Sequence, residues 1–247
     1  ERKIFMKKYT QWPVIYLIAF AVMIFLNYWS ATNVGIVANQ DPALIQPAGY
    51  AFSIWGIIYI FTFIWIIRLF FNRQQAQQVV DRLSFLPVIN FLLNGFWIIA
   101  FTQEWLLVST IIIALLLINL VSIYTRLSDI NSRHWLDRLP FSIYFAWVTV
   151  ATIVNIFTWF IGADIDSFIG LSELSWTNIM LVVASLLMGY IAFRYKDIAF
   201  PLVFTWSYVA ILIENQFNDI SLAVILIICI LAQLASASLL MKQHLSK

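Results

Sequence analysis

The side chains of this chain best suited to holding a ligand are neutral. Asn90, Asn94 and Trp97 are spaced i, i+4, i+7, while Tyr144, Trp147, Ala151, Asn155 and Thr158 follow at steps of three and four. On a helix such residues share one face. Trp55, Tyr59 and Thr62 make a third stripe of the same kind. An amide both donates and accepts, a phenol does likewise, and an indole adds area with one donor. Three such faces can wall an apolar pocket in which a few polar groups orient the ligand. Small Ala151 leaves space between bulky Trp147 and polar Asn155. The same stripes could instead pack together as core, with Asn90 and Asn94 joining helices by hydrogen bonds.

Acid–base and metal chemistry lack their groups. No Asp, Glu, Lys, Arg or His lies well inside an apolar run, and the two histidines fall in a connector (His134) and in the tail (His244). There is no paired carboxylate, no Ser/His/Asp set at membrane depth and no metal-ligand spacing. Cys229 is the single cysteine, so there is no disulfide framework, and its expected role is packing. We therefore expect a protein that is not an enzyme and that holds no metal and no cofactor. Ion-coupled pumps need ionisable groups at membrane depth, and these are missing as well.

The elements that must position these stripes are membrane spans. At 63% hydrophobic and 11% charged residues, with a mean hydropathy of +0.91, the chain cannot cover a core with polar surface. A hydrocarbon layer about 30 Å thick takes about 20 helical residues. Eight runs qualify as candidates: Trp12–Ser30, Tyr50–Phe71, Leu86–Phe101, Trp105–Tyr124, Pro140–Ile161, Asn178–Phe193, Ile198–Ile213 and Ile220–Met241. The expected fold is all-α, a polytopic transmembrane helix bundle of eight spans.

Charge orients it. All 14 Lys and Arg residues fall in alternate connectors and the two tails: before the first run, around Arg68 to Arg82, between Arg126 and Arg138, at Arg194 and Lys196, and after the last run. The other connectors carry Asp41, Glu104, Asp164, Asp166, Glu173, Glu214 and Asp219 and no base. The positive-inside rule then puts both termini in the cytoplasm, in what we expect is a bacterial plasma membrane. With a net charge of +2 spread this thinly, no nucleic-acid footprint exists. The first run follows Lys7 and Lys8 and reads as an uncleaved span, and Met6 is a candidate natural start. Trp12, Trp29, Trp105 and Trp176 stand at run ends, as interface anchors do.

Two connectors are long. Ala31 to Gly49, with Pro42 and Pro47 and no basic residue, could close over the outer mouth of a bundle as a lid or be a plain surface linker. The acidic stretch Gly162 to Trp176 separates five runs from three, and we place a domain boundary there, giving units 1–162 and 163–247. Gln74 to Gln78 reads as a solvated helix end. No internal repeat of the kind that marks many transporters is evident.

The motifs resemble the TspO/MBR family, the tryptophan-rich sensory or translocator proteins. Tyr144-Phe145-Ala146-Trp147 through Ala151 and Asn155 is similar to the family's Pro-Tyr-x-x-Trp-x-x-x-Ala-x-x-x-Asn signature from Tyr onward. Leu93-Asn94-Gly95-Phe96-Trp97 is similar to its Leu-Asn-x-x-Trp, and Pro47 followed by Ile54-Trp55 through Tyr59 to its Val-Trp-x-x-x-Tyr. Ile143 stands where the family has Pro, and Tyr50 near a position where it has Trp. The resemblance runs from about Trp12 to Ile161, the family's usual five-helix unit, and leaves three added spans. It implies a pocket under the first outer loop, lined from spans two, three and five, that takes a hydrophobic ligand such as a tetrapyrrole. Carried over by motif, its residues are Trp55, Asn94, Trp97, Tyr144, Trp147, Ala151 and Asn155. The function expected is a membrane receptor or sensor, with a small-molecule transporter or a structural subunit as the alternatives. Its partners would be membrane lipid and the hydrophobic ligand, and a second copy or a membrane protein could also bind. For the last role, Ala232, Ala235 and Ser236 offer a small-residue helix face.

Overall fold

The computed structural model describes residues 2–38, 42–71, 73–130, 134–165 and 167–245. Along it run α1 (Arg2–Ala38), α2 (Ile54–Phe71), α3 (Arg73–Leu83), α4 (Leu86–Thr102), α5 (Leu106–Ser128), α6 (Trp135–Gly162), α7 (Glu173–Tyr195), α8 (Ala199–Asn215) and α9 (Ile220–Leu245). A 3-10 turn, Gly49–Ser53, leads into α2, and strands β1 (Ser167–Phe168) and β2 (Leu171–Ser172) form a hairpin before α7. The all-α transmembrane bundle expected from hydropathy is what forms.

Among the described residues six helices are long and apolar enough to cross a membrane, or seven if the pair Ala76–Leu83 and Leu86–Thr102, bent by 65°, is one broken span. Helix α8, at 17 residues, is apolar but shorter. At about 1.5 Å per residue it falls a little short of a 30 Å layer. Length thus supports six or seven spans where hydropathy runs suggest eight.

By packing the chain divides into two compact units, residues 1–37 with 55–145, and residues 38–54 with 146–247. This division falls inside α6 and not at Gly162. Helix α6 is 28 residues without a break, so its two halves can serve different neighbours.

In the first unit, Tyr16 stacks on Trp65 at 5.8 Å and Trp65 meets Phe141 edge-on at 4.9 Å. The Tyr16 hydroxyl donates to the Ser84 carbonyl at 2.7 Å, at the break between α3 and α4 where Ser84 takes a φ of 47°. Helix α3 is amphipathic: Ala76, Val79, Val80 and Leu83 are all buried, on one face by their spacing. The solvated helix end expected at Gln74 to Gln78 is therefore part of a helix with a packed side. Asn90 Nδ2 donates to Asn119 Oδ1 at 3.1 Å, which makes Asn90 a clamp between α4 and α5. Arg68, in the last turn of α2, pairs with buried Asp137 at 3.0 Å. The other Asp137 oxygen accepts the His134 N–H at 3.0 Å, satisfying a donor at the start of α6.

In the second unit, α7, α8 and α9 pack on one another. Leu222, Leu226, Cys229, Gln233, Ala237 and Leu240 form the buried stripe of α9, at the three-and-four spacing that puts them on one side. The Tyr208 hydroxyl donates to Leu181 O at 2.7 Å and accepts from Ser185 at 3.2 Å, and Gln233 Nε2 reaches Ser185 at 3.4 Å. Of the small-residue face, Ala232 and Ala235 are exposed and Ser236 is half-buried. The α1–α2 connector belongs to this unit and is fastened by its backbone. Leu44 O accepts from Asn215 Nδ2 at 2.8 Å, Ala48 N–H donates to Ala210 O at 3.1 Å, and Ala51 O accepts from Trp206 Nε1 at 3.1 Å.

Candidate functional site

Four of the seven candidate residues, Trp55, Asn94, Trp97 and Tyr144, come together in the first unit, with Tyr59 beside them. Helix α4 carries Asn94 and Trp97 one turn apart, α2 carries Trp55 and Tyr59, and the first half of α6 carries Tyr144. Asn94 is the hub. Its Nδ2 donates to the Tyr144 hydroxyl at 2.7 Å, and its Oδ1 accepts from Asn27 Nδ2 at 2.8 Å. Tyr59 closes the circuit by donating to Asn27 Oδ1 at 2.9 Å. Asn94, Tyr144 and Trp97 are buried, and a buried amide must find such partners.

Aromatic rings wall the hub. Trp55 stands 5.7 Å from Trp97 and 5.6 Å, edge-on, from Tyr144, and Trp97 stacks on Phe101 at 5.8 Å. These are contact distances between rings, so a ligand at the hub must part them. The cluster contains no ionisable group other than its phenols and no metal-ligand set; among the described residues no group of His, Cys, Asp and Glu could hold a metal ion. What it can do is hydrogen-bond and stack.

The remaining three candidates continue along α6 in the second unit. Trp147 is buried and meets Phe52 edge-on at 5.9 Å, Asn155 is buried, and Ala151 is half-buried.

Asn27 was not singled out from the sequence, although it completes the hub. The signal was present, since it is an amide in the last turn of an apolar run, and Asn27 Nδ2 also reaches Met23 O one turn back at 2.9 Å. Beside it the α1–α4 seam is narrow: a Cβ built on Gly95 would lie 2.7 Å from Leu26 Cδ1. Farther along that seam opens a cleft of about 340 Å³ lined by Phe25, Leu26, Trp29 and Ser30 of α1, with Ile99, Thr102 and Gln103. Trp29, placed by sequence as an interface anchor, is 75% exposed, as such an anchor is.

A family model described as TSPO-like protein matches residues 13–239. The match runs past Ile161, where the motif resemblance ends, and takes in α7, α8 and most of α9. No curated protein and no solved structure matches the chain.

Proposed function

The chain belongs to the TSPO-like protein family, which makes it an integral membrane protein of the sensor or transporter type, and we propose that it is a receptor for a flat hydrophobic ligand. The observation that carries this reading is the Asn94 hub. A neutral hydrogen-bonding circuit through Asn27, Tyr59 and Tyr144 lies buried among Trp55, Trp97 and Tyr144. Indole and phenol faces suit a conjugated ring, and the Asn94 amide can exchange a protein partner for a ligand carbonyl or ring nitrogen. A tetrapyrrole has both features.

Entry would follow the α1–α4 seam. The cleft of about 340 Å³ is near the lower end of ligand-pocket volumes, about 300–1,000 Å³. Leu26 belongs both to its wall and to the contact over Gly95. A ligand that displaces Leu26 loosens the seam beside Asn27 and Asn94, so binding and rearrangement of the hub are coupled. If α8 and the bent α3–α4 pair also cross, the distribution of Lys and Arg puts both termini on the cytoplasmic side.

Titration of the purified chain with a tetrapyrrole, read by tryptophan fluorescence, tests the assignment. Asn94→Ala and Trp97→Phe are each expected to weaken binding. Unchanged affinity in both variants would remove the hub as the site. Liposome flux separates receptor from transporter, because a receptor moves no ligand across the bilayer.

A further inference from the structure

The second unit holds a separate cavity that the motif residues do not touch. Its volume is about 460 Å³, and it lies between the end of α6, the β1–β2 hairpin and the start of α7, with Pro42 of the α1–α2 connector at one edge. Phe157, Phe160, Phe168 and Trp176 supply its walls, and Asp164 and Glu173 its charges. Three of the rings stand in series, Phe160 to Phe168 at 5.4 Å and Phe168 to Trp176 at 5.8 Å. The Trp176 Nε1–H donates to the Phe168 carbonyl at 2.8 Å, which fixes the indole against the hairpin.

We infer that this cavity binds an organic cation, an ammonium group carried on an aromatic or alkyl body. The charge argument is one-sided: among the described residues, both ionisable groups lining the cavity are carboxylates and none is basic. Neither carboxylate is in a salt bridge among the described residues; Asp164 is exposed and Glu173 half-buried at the cavity wall, so together they make its mouth negative. Aromatic faces attract a cation through the ring quadrupole, most strongly for tryptophan, and they offer apolar area to the rest of the molecule. A bare metal ion would leave that area unused, while a neutral hydrocarbon would leave the two negative charges without a counter-charge. One Glu173 oxygen also accepts the Leu44 N–H at 2.7 Å, so the residue that meets the cation also holds the connector whose Pro42 edges the cavity.

This site is independent of the Asn94 hub, and its test is too. The full chain in phosphatidylcholine nanodiscs is titrated calorimetrically with benzyltrimethylammonium and, separately, with benzylsulfonate, a similar body of opposite charge. Saturable single-site binding of the cation and none of the sulfonate is expected. Glu173→Gln keeps an oxygen for Leu44 N–H and removes only the charge; it and Asp164→Asn should each weaken the cation about fivefold or more. Trp176→Leu should weaken it as well. Equal binding of the two probes, no binding of either, or an unchanged affinity in both carboxylate variants would overturn the proposal. Tetrapyrrole affinity should be the same in the Glu173→Gln protein, so failure at one site is distinguishable from failure at the other.

Discussion

A double-mutant cycle on Asn94 and Tyr144 tests whether the hub behaves as a hydrogen-bonded unit. Asn94→Ala removes two short side-chain bonds, to Tyr144 at 2.7 Å and from Asn27 at 2.8 Å, and a long contact from Tyr59 at 3.5 Å. Interhelical hydrogen bonds within membranes average about 0.6 kcal/mol and reach about 1.7. Two of them put the loss near 1.2 kcal/mol, before any cost of the small void. Tyr144→Phe breaks only the first bond, so it should cost about 0.6 kcal/mol. In the Asn94→Ala protein Asn27 keeps Met23 O and Tyr59, but one Asn27 N–H and the buried Tyr144 hydroxyl lose their partner, so about 1.2 kcal/mol is the lower end of the expected loss. The two single losses should exceed the double loss by the shared bond, about 0.6 kcal/mol, or nearly threefold in the unfolding equilibrium constant. Unfolding in mixed detergent micelles, followed by tryptophan fluorescence, gives all four corners of the cycle. Additivity to within about 0.2 kcal/mol would show that the amide and the phenol do not interact, and the hub would lose its basis.

Three further outcomes follow from local geometry. Gly95→Ala brings a Cβ to 2.7 Å from Leu26 Cδ1, the free end of a flexible side chain that can turn aside, and alanine favours the helix, so stability should change by less than about 1 kcal/mol in the same unfolding assay; a loss above about 3 kcal/mol would mean that Leu26 is locked in place. In the hairpin turn both Ile169 (φ 52°) and Gly170 (φ 74°) have positive φ, which a β-branched residue resists. Ile169 is 77% exposed, so Ile169→Asn should raise stability by up to about 1 kcal/mol and slow proteolysis between β1 and β2, and no gain would mean that the turn is not held in this form. Asp219 accepts the Leu222 N–H at 3.0 Å and the Ser221 hydroxyl at 2.7 Å, and these bonds, the Leu222 N–H first, hold its carboxyl below the usual carboxylate range. A lowered folded-state pKa stabilises above the unfolded value and ceases to do so as pH falls through the folded one. Hydrogen-exchange protection in the first turn of α9 should therefore decline below about pH 4 in the parent chain and much less in Asp219→Asn.

Hydropathy was enough to find the helices, because in lipid a spanning segment must satisfy its backbone internally and so must be helical. It was less able to find α3. Glutamines at 74, 75, 77 and 78 dominate the local composition, and only the spacing of Ala76, Val79, Val80 and Leu83 reveals the buried face. Side-chain spacing put Asn94 and Trp97 on one helix face and Tyr144 on another, and Asn94 meets Tyr144 across helices, but spacing could not separate the clamp role of Asn90 from the hub role of Asn94. Both are fully buried amides four residues apart on α4. What distinguishes them is the helix each one meets, α5 for Asn90 and α1 and α6 for Asn94. Trp176 has a second role that the sequence does not show. An indole at the end of an apolar run is usually an interface anchor, and only the fold of the hairpin turns it into a cavity wall.

The attachment of the α1–α2 connector had no sequence signal, because most of it is made by backbone groups. Ala48 and Ala210 contribute an N–H and a carbonyl, and Leu44 and Ala51 contribute theirs to Asn215, Glu173 and Trp206. Backbone donors and acceptors carry no residue code, so neither alternation nor charge could announce the pairing. The partners on the other side are all in α7 and α8. Two spans that looked like additions to a five-helix unit thus supply the contacts that hold a connector preceding the second. A substitution at Glu173, Trp206 or Asn215 accordingly acts more than a hundred residues away in sequence, on the segment whose Pro42 borders the proposed cation cavity. That gives the C-terminal helices a physical role which the motif resemblance, ending at Ile161, could not assign.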